Sequence, residues 1–214
     1  MDNWLKRLLI GLAAAGGLAV LYGLYLETHE VQLARERQLA ALLTVDEKVV
    51  FLAPEKSAGC QSKEPLPDSG CTPGAIFEDA VKEEICVPGY SKKVRNVSQK
   101  TKKKVFEMYG IEYPQPFGSY EVDHLIPLSL GGNNDLANLW PKVADPILGF
   151  WEKNIAANYL HKEVCQGQIS LNAAQKQMAQ DWTAIYKNIG PKRIEELRMK
   201  YPNWADRNLK KQEE

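Results

Sequence analysis

No surplus of charge of either sign marks this chain: 27 lysines and arginines stand against 27 aspartates and glutamates in 214 residues. That excludes a polycation of the histone kind, so attraction to a charged partner has to come from local clustering. Aromatic residues are few, at 9%, while hydrophobic residues reach 44% and charged residues 25%. Such a composition folds, and disorder is expected only locally. Histidine occurs three times and cysteine four times, with no Cys-x2-Cys pair. The cysteine spacings of 11, 15 and 79 are wrong for a zinc site built from those residues. There is no internal repeat, and the length suits one domain plus an extra element rather than a multidomain machine.

The extra element is at the start. Leu8 to Leu26 runs for 19 residues without a charge and is rich in Leu, Ala and Gly. As a helix it would cover about 28 Å, close to the hydrocarbon core of a bilayer, with Trp4, Tyr22 and Tyr25 near the interfaces. A cleaved signal peptide is the rival reading, because Lys6 and Arg7 form a positive start and small residues occur from Ala13 to Gly17. The apolar run continues beyond them to Glu27, which favours an uncleaved anchor contacting the lipid bilayer. Lys6 and Arg7 before the span, against Glu27 and Glu30 after it, orient the remainder outside the cytoplasm. The expected location is therefore a bacterial inner membrane, single-pass, with the C-terminal domain in the periplasm or outside the cell. Cys60, Cys71, Cys86 and Cys165 all follow the span, where an oxidising compartment would let them pair. Of the three connectivities, Cys60 with Cys71 and Cys86 with Cys165 is favoured, although spacing alone does not decide it.

Val31 to Leu52 is a helix-favouring mixture without Gly or Pro, expected as an exposed stalk for self-association or a protein partner. Ala53 to Gly74 holds four prolines and three glycines and reads as a linker. Ser98 is the expected cap of a helix to about Tyr109, with Val105 and Met108 on its buried stripe. Tyr120 to Pro127 reads as a strand, Gly131 to Asn134 as a loop, and Leu136 to Trp140 as its return. Helices are then expected from about Ile147 to Val164, from Leu171 to Lys187 behind Ser170, and from Pro191 to about Lys200.

The densest chemical cluster lies on this hairpin: Tyr120-Glu121-Val122-Asp123-His124-Leu125-Ile126-Pro127, then Gly131-Gly132, then Asn138-Leu139-Trp140-Pro141, followed by a helix. Phosphodiester cleavage needs a base to deprotonate water and a cation to stabilise charge on the phosphate. His124 is the natural base, and Asp123 offers a hard oxygen suited to Mg2+. Adjacent strand residues point to opposite faces, so a shared site requires a distorted strand end or elements wrapped around it. A lone histidine in an apolar strand is more often structural; the conjunction of Asp-His-x-x-Pro, Gly-Gly and Asn-Leu reverses that judgement. The Trp140, Trp151 and Trp182 rings are assigned to packing.

These residues, with His124 and Asn138 fourteen positions apart, resemble the HNH endonuclease signature of the ββα-metal (His-Me finger) superfamily. Ile85 to Tyr90, Arg95, Val164-Cys165 and Asp181-Trp182 extend the resemblance over about residues 70–186. Together with the apolar run at the start it gives the expected α+β fold: an N-terminal transmembrane helix followed by a small ββα-metal core, a β-hairpin plus helix, surrounded by additional helices. It also implies His124 as general base, Asp123 as metal ligand, Asn138 as the residue that holds the loop and orients the imidazole, and a last ligand from the following helix. Asn154 is the expected ligand, with His161 as the alternative. The implied cofactor is a divalent ion, Mg2+ first, with Mn2+, Ca2+ and Zn2+ as alternatives. The expected plan is a membrane anchor over 1–30, a stalk over 31–52, a linker over 53–74, an HNH-type domain over 75–200 and a polar tail over 201–214.

Seven basic residues and no acid fall between Lys92 and Lys104: Lys92, Lys93, Arg95, Lys100, Lys102, Lys103 and Lys104. A solvated helix face is the plain explanation of such a run. Its imbalance just upstream of the cluster favours contact with the phosphate backbone of DNA, with little sequence preference. The resemblance implies Arg95 as the candidate for a phosphate or transition-state contact near the scissile bond. The function expected is DNA hydrolysis by a membrane-anchored, metal-dependent endonuclease. The alternative is a catalytically silent module of the same fold that binds DNA or protein.

Overall fold

The computed structural model describes residues 29–30, 50–146 and 148–202. The chain divides into two units, Met1–Val45 and Asp46–Glu214, and the elements below all belong to the second. Three helices come first: α1 (Lys82–Ile85), α2 (Tyr90–Val94) and α3 (Gln99–Met108). Ser98 caps α3, its hydroxyl accepting from the Thr101 N–H at 3.1 Å, and Val105, Phe106 and Met108 are buried.

Two strands follow, β1 (Tyr120–His124) and β2 (Leu139–Val143), paired antiparallel with Asp123 opposite Trp140 and His124 opposite Leu139. The first strand is shorter than expected. Beyond Leu125, the Asn138 side chain accepts from the Ile126 N–H at 2.9 Å and donates to the Ile126 carbonyl at 3.0 Å, replacing ladder bonds with side-chain ones. The connecting loop folds back so tightly that a Cβ on Gly132 would collide with the Ile126 carbonyl.

Helix α4 (Phe150–Cys165) packs along α5 (Leu171–Asn188), and α6 (Pro191–Lys200) closes the domain. The backbone of α5 kinks at Asp181, and Ala174 and Met178 before the kink and Trp182 and Ile185 after it are buried. The Ser170 hydroxyl caps that helix through the Ala173 N–H at 3.1 Å, and α6 begins with Pro191, where a missing N–H costs nothing.

The segment 53–74 forms no regular element, as its prolines and glycines dictate, but it is part of the domain and not a free linker. Cys60 and Cys71 are disulfide-bonded and buried in one cluster with Met108, Tyr109, Leu125 and Trp140. Glu64 pairs with the buried Lys142 at 2.8 Å, and the Trp182 indole donates to the Pro65 carbonyl at 3.2 Å. A second disulfide, Cys86–Cys165, ties the end of α1 to the end of α4. Two disulfides suit an oxidising, extracellular-type environment.

The expected fold class needs correction. Among the described residues no helix is long and apolar enough to cross a membrane, and Leu8 to Leu26 lie outside them. Over the described residues the architecture is α+β, a two-stranded antiparallel sheet with helices. Most of the expected stalk, 31–49, and the tail from 203 also lie outside the described residues; Val50 to Leu52, expected as the end of that helix, are not helical.

Candidate active site

His124 ends β1 with 3% of its surface exposed. Its Nε2 lies 3.2 Å from Asn134 Oδ1. The orientation of that amide is dictated by the backbone: Oδ1 accepts from the Asn96 N–H at 3.1 Å, while Nδ2 donates to the Val94 carbonyl at 2.9 Å. An oxygen therefore faces the imidazole, Nε2 carries the hydrogen, and Nδ1 keeps the lone pair. Burial pushes the imidazole down to about 4; the Asp123 carboxylate and Asn134 pull it partly back, and Arg95 and Lys153 push it further down. The ring is neutral at neutral pH and can accept a proton.

Asn138, fully buried, does not bond the imidazole. It also donates to the Asn133 carbonyl at 2.9 Å, so it holds the loop whose next residue, Asn134, orients His124. Asn134 is not among the residues expected here, although its place in a Gly-Gly-Asn-Asn loop just after the strand is a usable signal.

From α4 the group that reaches Asp123 is Lys153, which the sequence reading also missed. Its Nζ lies 2.9 Å from Asp123 Oδ2 and donates to the His124 carbonyl at 2.6 Å. The ammonium engages this buried oxygen, and a carboxylate oxygen has a second lone pair with room for a further donor. Asn154, the expected ligand, is half-buried one position on and shares no hydrogen bond with Asp123 or His124 among the described residues. His161 is elsewhere. It lies eight residues beyond Lys153, about 12 Å along the helix, with Nε2 at 3.1 Å from the Ile85 carbonyl and 3.5 Å from Cys165 Sγ. Cys86, His161 and Cys165 bring three donor atoms within 4.8 Å of one another, a grouping able to hold a metal only when its disulfide is reduced.

Asp123 fits a divalent ion in one respect: Oδ2 is a buried hard oxygen with spare capacity, and Mg2+ needs only one or two carboxylates when water and phosphate supply the rest. The Lys153 ammonium would share that carboxylate or turn aside. Arg95 ends α2, exposed yet near enough to act on the His124 charge. Lys92 and Lys93 are exposed on α2; Lys100, Lys103 and Lys104 are exposed on α3, where Lys104 pairs with Glu107 at 3.4 Å, and Lys102 is half-buried. The structure thus brings Lys153 and Asn134 to Asp123 and His124, with Arg95 acting on the imidazole through its charge, and leaves His161 outside that group.

No family model, curated protein or solved structure matches this chain. A two-stranded sheet with helices does not by itself establish an HNH domain, so function has to be argued from the site.

Proposed function

We propose that this domain is a metal-dependent endonuclease of an oxidising, extracytoplasmic compartment, hydrolysing DNA phosphodiester bonds with little sequence preference. The observation that carries the reading is a neutral, buried imidazole whose Nε2 is engaged by Asn134, which makes Nδ1 the basic nitrogen, beside a carboxylate oxygen with room for a further donor. His124 takes a proton from water through Nδ1, and Asn134 keeps the ring in that tautomer while Asn138 holds the loop. Arg95 and the lysines from Lys92 to Lys104 attract and hold the phosphate backbone, a contribution that weakens steeply with salt. Mg2+, or Mn2+, Ca2+ or Zn2+ in its place, would be held by Asp123 and would supply Lewis-acid stabilisation of the phosphate and leaving oxygen.

Plasmid nicking by the full chain tests this. The expected result is nicking with Mg2+, none with chelator, and a rate about 10²–10⁴ lower for His124→Ala, with an unchanged circular dichroism spectrum. A second reading, a silent DNA-binding module, is favoured by one observation: an ammonium, not an amide oxygen, comes from α4 to Asp123. No nicking with any of the four metals, together with equal DNA retention by His124→Ala, would decide for it.

A further inference from the structure

A groove of about 470 Å³ runs beside β1, within the size range of ligand sites. Its floor is aromatic. Phe106 is buried beneath Tyr113 and Tyr120, with ring centroids 5.3 and 5.8 Å away, and the two tyrosines are half-buried. Phe117 stands on the rim with 78% of its surface exposed. Arg95 and Lys102 line the same groove against a single acid, Glu121. Tyr120, Glu121 and Val122 at the start of β1 all line the groove, and the imidazole ends the same strand about 13 Å from Tyr120. Arg95 belongs to both, lining the groove and acting on His124.

A single exposed phenylalanine needs no explanation. Aromatic faces combined with two cations, in a groove that shares Arg95 with a phosphate-directed site, match one ligand chemistry: a polyanion that also presents flat apolar rings. Single-stranded nucleic acid has both, whereas a duplex hides its base faces within the stack. We propose that this groove binds single-stranded DNA, with an unpaired base against Phe117 and the flanking phosphates against Arg95 and Lys102. The proposal rests on the nuclease reading and gives it a substrate form: unpaired or frayed strands in preference to duplex.

The test is fluorescence anisotropy of the full chain, in chelator so that no metal is present, with a labelled deoxyoligonucleotide offered single-stranded or as a duplex. Phe117→Ala is expected to weaken single-strand binding about tenfold, in line with the loss of one base-stacking platform, and to change duplex binding less than twofold. Lys103→Ala, a surface lysine that does not line the groove, should weaken both equally. Equal loss on both substrates in Phe117→Ala, or no loss, overturns the proposal. So does a wild-type dimer that Phe117→Ala converts to monomer in sedimentation with no change in DNA affinity, because a second copy would then fill the groove. Tighter binding of the matching RNA than of DNA overturns the DNA assignment. Plasmid nicking separates the two readings. Selective single-strand loss without nicking by the wild type sustains the groove and sinks the nuclease, and nicking with Phe117→Ala unchanged in single-strand affinity does the reverse.

Discussion

Lys142 on β2 and Lys153 on α4 are both buried ammonium groups, and their surroundings differ in kind. Lys142 is enclosed by the indoles of Trp140 and Trp182, 5.0 and 5.4 Å from the ring centroids, and paired with Glu64 at 2.8 Å. Burial lowers its pKa and the Glu64 carboxylate opposes this. Glu64 keeps 36% of its side chain in solvent, whereas Asp123, the partner of Lys153, keeps 15%. Each region also has a disulfide: Cys60–Cys71 beside Lys142, where Glu64 lies within the closed loop, and Cys86–Cys165 at the far end of the helix carrying Lys153. Burial of a lysine therefore says little about its role; the exposure of its partner decides. Glu64 can be rehydrated when its lysine is removed, so Lys142 acts as a clasp for segment 53–74. Asp123 has far less access to water, so Lys153 sets the electrostatics of the candidate site.

The largest effect expected is on the disulfides. Removing Cys86–Cys165, which spans 79 residues, should cost about 4–5 kcal/mol, and removing Cys60–Cys71, which spans 11, about 3 kcal/mol on the loop-closure estimate. Urea midpoints of the paired Ala variants measure both, and equal losses would break the distinction between the two regions. Next, Lys153→Met should cost about 3–4 kcal/mol by leaving Asp123 uncompensated. It should also tighten Mn2+ binding, measured by electron paramagnetic resonance; unchanged metal affinity would remove Asp123 as a ligand.

A smaller effect belongs to the Lys142 side. Burial pushes the Tyr109 hydroxyl up to about 12, partly opposed by the Thr72 hydroxyl 2.7 Å away. The native state therefore holds its proton to higher pH than the unfolded chain. Stability from this group is complete below about pH 10 and is lost as pH rises from 10 towards 12, by roughly 2 kcal/mol. Tyr109→Phe should flatten that part of the stability curve, and an unchanged slope would point to another group. Lys142→Met is expected to cost only about 1 kcal/mol, since Glu64 turns to solvent. A loss as large as that of Lys153→Met would show that partner exposure is not what separates the two lysines. Smallest of all, Lys103→Ala should leave stability unchanged and reduce the salt slope of DNA binding by about one.

Much of the helical framework was legible. Ser98, Ser170 and Pro191 mark three helix starts because caps and N1 prolines act within a turn of their own backbone, and α3, α5 and α6 begin where these residues put them. Beyond that local range the reading fell short. The strand expected to Pro127 stops at His124 because a side chain twelve residues downstream takes the Ile126 backbone groups. Proline and glycine correctly excluded regular structure from 53–74, but they cannot tell a loose linker from a segment pinned by a disulfide, an ion pair and an indole. Asn154 was expected on donor chemistry, and Lys153 went unconsidered because a lysine within a helix reads as solvated until the packing partner is known.

What the chain determined by itself is what neighbours in sequence decide: helix starts, the breaks at Pro and Gly, the adjacency of a carboxylate and an imidazole, and the basic run before them. Tertiary structure alone decided which amide faces Nε2 of His124, which α4 side chain meets Asp123, and which lysine lies between two indoles. Asn134 with His124, Lys153 with Asp123 and Trp182 with Lys142 join residues 10 to 40 positions apart. Their energies depend on the burial of both partners, and burial exists only once the layers have packed.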